Sequence, residues 1–384
     1  MILDYETLKF IWWGLVGALL IGFAIADGMD MGAGNLLPFV GKNDEERRVV
    51  INVVGPHWDG NQVWFITAGG AIFAAWPAVY AAAFSGFYMA MLLVLFALFF
   101  RPVGFDYRSK IGDARWRKAW DWGLFVGGAV PSLIFGVAFG NLLQGVPFYL
   151  DDMLRSHYEG SLLTALIPLL NPFALLAGVI SFAMLTAHGG VWLQLRTTGV
   201  IAERSRKSAM AFSAISMACF ALAGIWVYYA IDGYRIISQP AFDALPNPLA
   251  KEVEIAEGAW FDIYKNYPVA ILAPTLGLVG AFLTILLSMI RKPGFAFVTS
   301  SLSMAGIIST AGLSMFPFIM PSSIKPDSSL TIWDAPSSHL TLTVMFWAVV
   351  ILLPIVLLYT VWCYTRMWGK VTVEEINRRS HSAY

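Results

Sequence analysis

Nine separate stretches of this chain are long and apolar enough to cross a bilayer, and that pattern leaves few folds available. A membrane helix needs about 20 mostly apolar residues, with each backbone N–H and C=O paired inside the helix. The stretches are Leu8–Ala26, Val49–Trp76, Val79–Phe100, Trp120–Leu143, Leu162–Ala187, Ala209–Ile231, Pro268–Ile290, Phe295–Met320 and Leu340–Tyr364. Only 13% of the 384 residues are charged, against about 25% in soluble domains, too few to coat a water-soluble surface. Lys and Arg together number 25, and so do Asp and Glu, so the chain has no basic excess for nucleic acid. The expected fold is an all-α, polytopic membrane protein, one integral-membrane domain over 1–384. Cys219 and Cys363 both lie inside apolar runs and read as small hydrophobes, not as a metal or redox pair.

Basic residues orient the spans, because cytoplasmic loops carry the excess of Lys and Arg. With a periplasmic N-terminus and a cytoplasmic C-terminus, the inner segments are 38–48, 101–119, 188–208, 291–294 and 365–384. They hold nineteen of the 25 basic residues. Lys9, Arg155, Arg235, Lys251, Lys265 and Lys325 fall outside or at the outer boundary. Val49–Trp76 is the weakest span, since His57, Asp59, Asn61 and Gln62 lie within it; without it the excess still favours the inner side. The start Met1-Ile-Leu-Asp-Tyr-Glu6 is acidic where a signal peptide is basic, so the first apolar run is expected to be retained. Segments 144–161 and 232–267 read as ordered external loops. Trp12, Trp13, Trp76, Trp120, Trp122, Trp347 and Trp362 read mostly as interfacial anchors.

An ionisable group at membrane depth costs about 2.5–3.5 kcal/mol on insertion scales, which makes each one a functional candidate. Asp27 and Asp30 are three residues apart and share a helix face. Gly28 and Gly32 form a small-xxx-small pair that admits a neighbouring backbone. The two acids either do chemistry or merely cap the inner end of the first span. Asp59 lies about ten residues into the second span, beside His57. A carboxylate next to an imidazole can take and release a proton near neutral pH; the other reading is a hydrogen bond locking two helices. Arg101 ends the third span at the depth where Asp27 and Asp30 end theirs, so an ion-pair layer is expected, with Asp121 joining it. His57 and His188 form the one geometrically conceivable bis-His haem pair.

Several stretches are distinctive together: Phe10-Ile-Trp-Trp13, Asp27-Gly-Met-Asp-Met-Gly32, Pro56-His-Trp-Asp-Gly-Asn-Gln-Val-Trp64, Ala74-Ala-Trp-Pro77, Arg101-Pro102 with Phe105-Asp-Tyr-Arg108, Phe139-Gly-Asn-Leu-Leu-Gln-Gly-Val-Pro147 and Phe316-Pro-Phe-Ile-Met-Pro-Ser-Ser323. In these the chain resembles subunit II of the bacterial cytochrome bd-type quinol oxidases, over essentially its whole length.

That resemblance implies nine transmembrane helices, arranged as two four-helix bundles plus one peripheral helix, in the bacterial cytoplasmic (inner) membrane. It implies a complex that oxidises quinol and reduces dioxygen to water in aerobic respiration. The partners it implies are a larger subunit I and small single-span accessory subunits. In that family haem b and haem d are ligated by subunit I, so this chain is not catalytic alone, and it can hold a structural quinone. By the same likeness Asp59, with His57 beside it, belongs to a proton path from the cytoplasm, and Trp64 lies by an oxygen route between subunits. Asp30, Arg101 and Asp121 are implied in stable haem assembly. Two readings compete: a proton-coupled secondary transporter using Asp27, Asp30 and Asp59, and an autonomous cytochrome using His57 and His188.

Overall fold

The chain's first helix begins where Asp4 accepts a hydrogen bond from the Thr7 amide at 2.7 Å, a side-chain N-cap. From there α1 runs unbroken over Tyr5–Val40. Thirty-six residues make a rod of about 54 Å, well beyond the ~30 Å hydrocarbon layer. Asp27 and Asp30 therefore lie inside a continuous helix and do not cap its end, because the apolar run stops long before the helix does. The computed structural model describes residues 3–158 and 166–378.

Asn43 caps α2 (Asp44–Val54), accepting from the Glu46 amide at 2.8 Å, and three acids fill its first turn. The helix then ends at a turn, Gly55-Pro56-His57, and α3 starts afresh over Trp58–Ala75. The expected single span Val49–Trp76 is thus two helices: a proline ring cannot sit inside an α-helix without losing a backbone bond and clashing. Pro77 opens a return run of α4 (Pro77–Gly86), α5 (Tyr88–Leu98) and α6 (Phe100–Tyr107). Next come α7 (Ala114–Gln144), the antiparallel hairpin β1 (Phe148–Leu150) and β2 (Ser156–Tyr158), α8 (Leu166–Leu169), α9 (Pro172–Arg196) and α10 (Gly199–Ala230). A second antiparallel pair, β3 (Gly233–Ser238) and β4 (Glu252–Ala256), and α11 (Asp262–Asn266) order the outer segment 232–267. The chain finishes with α12 (Leu272–Met289), α13 (Pro293–Met315), β5 (Phe318–Met320) paired to β6 (Leu330–Thr331), α14 (His339–Arg366) and α15 (Val373–Arg378). Among the described residues, eight helical stretches are long and apolar enough to cross a membrane; α3, with its polar first turns, is not one of them.

Helix α1 is central, packing on α3, α7, α9 and α13, while α9 packs on α1, α7, α10 and α13, and α12 on α10 and α13. The α1–α9 crossing is backbone on backbone. A Cβ added to Gly32 would sit 2.1 Å from the Leu185 carbonyl oxygen, and one on Gly189 2.4 Å from the Gly32 carbonyl carbon. Helix α14 stands apart: Leu342 is its one buried residue, and its N-terminal end is held by Trp12, whose indole donates to the Leu342 carbonyl at 3.1 Å. Trp12 and Trp76 are buried core residues, correcting their reading as interfacial anchors. Their rings fill the gap where outer loops meet the bundle, a demand hydropathy does not express.

The basic residue nearest the N-terminus has a structural task. Lys9 is fully buried, and its ammonium donates to the carbonyls of Phe242 (2.8 Å), Ala244 (3.1 Å) and Trp333 (2.8 Å). It ties the outer loops to α1. Nearby Lys251 and Asp334 pair at 3.0 Å. Burial pushes the lysine below and the carboxyl above its ordinary range, and each partner opposes the other's shift. Lys9→Met is expected to loosen segment 232–267 by about 2 kcal/mol or more, since buried carbonyls would lose charged donors. Limited proteolysis from the outer face should cleave that segment faster; unchanged cleavage would refute the tie.

Candidate functional site

Two turns of α1 carry the chemistry at one rim of the bundle, the one expected to face inward. Asp27 accepts both ends of the Arg101 guanidinium, at 2.8 and 2.5 Å, and both side chains are buried. Arg101 reaches it because α7 offers Gly127, where an added Cβ would meet the Arg101 stem at 2.9 Å. Its guanidinium also lies 5.7 Å from the Trp58 ring centre. A buried bidentate pair of this kind offsets the desolvation of both charges.

One turn further on, Asp30 takes different partners. Its Oδ2 accepts from Asn61 Nδ2 at 2.8 Å, and its Oδ1 lies 3.4 Å from His57 Nδ1. Asn61 Nδ2 also lies 3.0 Å from His57 Nδ1, while its Oδ1 accepts from the Tyr364 hydroxyl at 2.8 Å. His57 Nε2 has no hydrogen-bond partner among the described residues. A small void of about 10 Å³ adjoins Asp30 and Arg101, roughly one water in size. The structure therefore divides the expected acid layer: Asp27 belongs to Arg101, and Asp30 to an imidazole and an amide.

Asp59 is exposed and sits in the first turn of α3, which corrects its expected depth of ten residues into a span. The Pro56 break resets the helix start, so Asp59 lies at a helix N-terminus, where a carboxylate is favoured. Trp64, further along α3, is half-buried with its ring against Gly22 of α1. Asp121 does not join Arg101. It accepts from Arg108 Nε at 2.6 Å and from Arg47 Nη1 at 2.8 Å, and Arg108 continues to Asp44 at 2.9 Å. This second ionic cluster joins α2 and α7, and Arg101, already paired with Asp27, takes no part in it.

His188 is fully buried, with Nδ1 2.7 Å from Ser300 Oγ and Nε2 3.1 Å from the Ile25 carbonyl. Both ring nitrogens are engaged in joining α9, α13 and α1. His188 lies against Phe297, while His57 lies against Trp192 and Tyr364. The two imidazoles do not form the facing pair that bis-His haem ligation needs. Sequence reasoning gave no role to Tyr364 and Arg196, which carry no motif, nor to Arg108, although it closes one of the distinctive stretches; an aromatic or basic residue at a helix end is ordinary.

Away from this rim, a cavity of about 680 Å³ lies between α1, α7, α9, α10, α12 and α13. Phe23, Phe135, Phe173, Phe220, Tyr228 and Tyr264 are among its lining residues. Tyr264 shares a hydrogen bond of 2.8 Å with Ser314 there.

Comparisons with known proteins place the chain in a family. Residues 8–367 match the family described as cytochrome bd terminal oxidase subunit II. The chain is 58% identical to cytochrome bd-I ubiquinol oxidase subunit 2 of Escherichia coli strain K12, over 382 residues and all of both chains. It is 32% identical to cytochrome bd ubiquinol oxidase subunit 2 of Bacillus subtilis, covering 96% of this chain and 98% of that one. Its fold is similar to a chain of the bd oxidase from Geobacillus thermodenitrificans, with a TM-score of 0.68 at 15% identity, over 94% of this chain and 98% of that one. The chain belongs to the cytochrome bd terminal oxidase subunit II family.

Proposed function

We propose that this chain is the non-haem subunit of a quinol:oxygen oxidoreductase in the bacterial inner membrane, and that its inner rim delivers protons. The family and the names of its relatives support the oxidase role. Haem b and haem d then belong to the larger subunit I. Small accessory subunits complete the assembly. Nine spans are proposed, with α3 crossing as the second and the termini on opposite sides. The packing of α1, α3, α5 and α7 as one group and of α9, α10, α12 and α13 as another supports the two-bundle arrangement.

The observation that carries the proton reading is the buried Asp30–His57 contact, with exposed Asp59 two residues beyond His57. Each dioxygen reduced to two waters takes up four protons, and within an apolar bundle ionisable groups mark the route by which they pass. Asp59, exposed at the inner rim, collects protons from the cytoplasm, and the Asp30–His57 pair holds one in reserve. The Asp27–Arg101 pair and the Asp121 cluster brace the rim on which haem retention in the partner depends. Trp64, half-buried on α3, lines an oxygen route, since dioxygen is apolar and needs no charge. The 680 Å³ cavity, walled by aromatic rings with a Tyr–Ser pair, suits an isoprenoid quinone held structurally.

Asp59→Asn removes the titrating group and leaves shape intact. Quinol-driven oxygen uptake per haem is expected to fall about tenfold or more, in line with loss of an acid–base group. The haem spectrum and partner should be retained. Unchanged uptake would remove Asp59 from the proton path.

A further inference from the structure

The rim contains a residue that the proton reading leaves unused. Tyr364 comes from the inner end of α14, the helix that otherwise stands apart from the bundle. Its hydroxyl donates to Asn61 Oδ1 at 2.8 Å, and its ring lies 5.0 Å from the His57 ring. Asn61 has one acceptor oxygen and one donor nitrogen carrying two hydrogens. Tyr364 donates to that oxygen, so the nitrogen is left to face Asp30 Oδ2, which accepts whether or not Oδ1 carries a proton. The second amide hydrogen then points at His57 Nδ1, 3.0 Å away. Nδ1 must present a lone pair to that hydrogen, which puts the imidazole proton on Nε2.

We infer that Tyr364 is a positioning residue for proton delivery: through Asn61 it keeps a lone pair on His57 Nδ1, to which Asp30 delivers a proton as the amide hydrogen gives way. The inference rests on the proton role proposed above for His57 and Asp30. In the step itself, the Asp30 Oδ1–H bond breaks and an Nδ1–H bond forms, leaving a carboxylate and an imidazolium. The Nε2 proton then passes to water. Without the tyrosine hydroxyl, the Asn61 amide can turn over whenever Asp30 carries its proton, presenting its oxygen to Nδ1 and favouring a ring already protonated there.

Tyr364 is well placed for such a task because its helix end is clamped. Arg196 donates from Nε to the Gly369 carbonyl at 2.7 Å and from Nη2 to the Met367 carbonyl at 2.6 Å. Its guanidinium lies 5.0 Å from the Trp192 ring centre and 5.2 Å from that of Trp368. The Val371 amide closes the clamp onto the Arg196 carbonyl at 2.8 Å. The charged and titratable groups around His57 are Asp27 and Asp30 from α1, Asp59 from α3, Arg101 from α6, Arg196 from α9 and Tyr364 itself.

The test is Tyr364→Phe in the intact complex, which keeps the ring and removes the hydroxyl. Turnover per haem is measured from pH 5.5 to 9, with His57→Gln in parallel. The acid limb of the profile is expected to move upward by roughly half a pH unit or more, about what one lost hydrogen bond is worth. Haem content should match the unmodified complex. A profile superimposable on the original overturns the positioning role. So does haem loss in proportion to activity, which would make Tyr364 a packing residue. If His57→Gln leaves turnover per haem and its profile unchanged, the proton reading itself fails, whatever Tyr364→Phe does.

Discussion

Arg101→Leu is expected to cost the purified complex most of its haem absorbance. The substitution leaves the Asp27 carboxylate buried in the packed interior of α1, α6 and α7 without its two donors. Breaking a buried pair from one side costs about 3–5 kcal/mol, whereas replacing both partners by apolar groups is often neutral. Asp27→Leu combined with Arg101→Leu should therefore recover much of the haem that Arg101→Leu loses. Reduced-minus-oxidised spectra normalised to protein read both variants. Full haem in Arg101→Leu would show that the pair does not brace the rim. No recovery in the double variant would mean that the charges themselves are required.

Gly189→Val is expected to prevent folding outright. Even a single carbon on Gly189 meets the Gly32 backbone at 2.4 Å, and no flexible side chain is there to yield. Helices α1 and α9 would have to separate, opening contacts along both. The penalty should exceed the roughly 1–3 kcal/mol of an extra methylene in a packed core. Small residues at such crossings are what allow close helix packing in lipid. The measurement is the yield of monodisperse protein after detergent extraction, with Gly17→Ala as control, since a Cβ there meets nothing within 4 Å. Equal yields would mean that the crossing tolerates expansion.

The fold was legible wherever one apolar run made one helix, as in α12 and α14; the run Leu162–Ala187 instead crosses α8 into α9, with residues 162–165 outside the described ones, and the run Phe295–Met320 overshoots α13 into β5. It was misread at Val49–Trp76, where a hydropathy window averages across Pro56 and merges two helices into one. The proline was in plain view and was the stronger signal. The Asp27–Arg101 pairing was readable because both residues fall at the same membrane depth on neighbouring spans. Asp121 was assigned to the wrong arginine because Arg47, Arg101 and Arg108 are equivalent by depth, and only packing of α2 against α7 selects among them. Tyr364 was invisible because its partner lies about 300 positions away, and nothing local marks an aromatic helix end as polar.

The unbroken length of α1 has a consequence for how the chain can change. Gly14 and Gly17 lie in open surroundings, and many side chains would suit that part of the helix. Deleting or inserting a residue there is another matter. Each residue turns an α-helix by about 100° while advancing it only ~1.5 Å. One added residue upstream would leave Asp27 at nearly the same depth and swing it off Arg101, taking Asp30 away from His57. The stretch is free in composition and fixed in count, so substitutions accumulate there while insertions and deletions are barred.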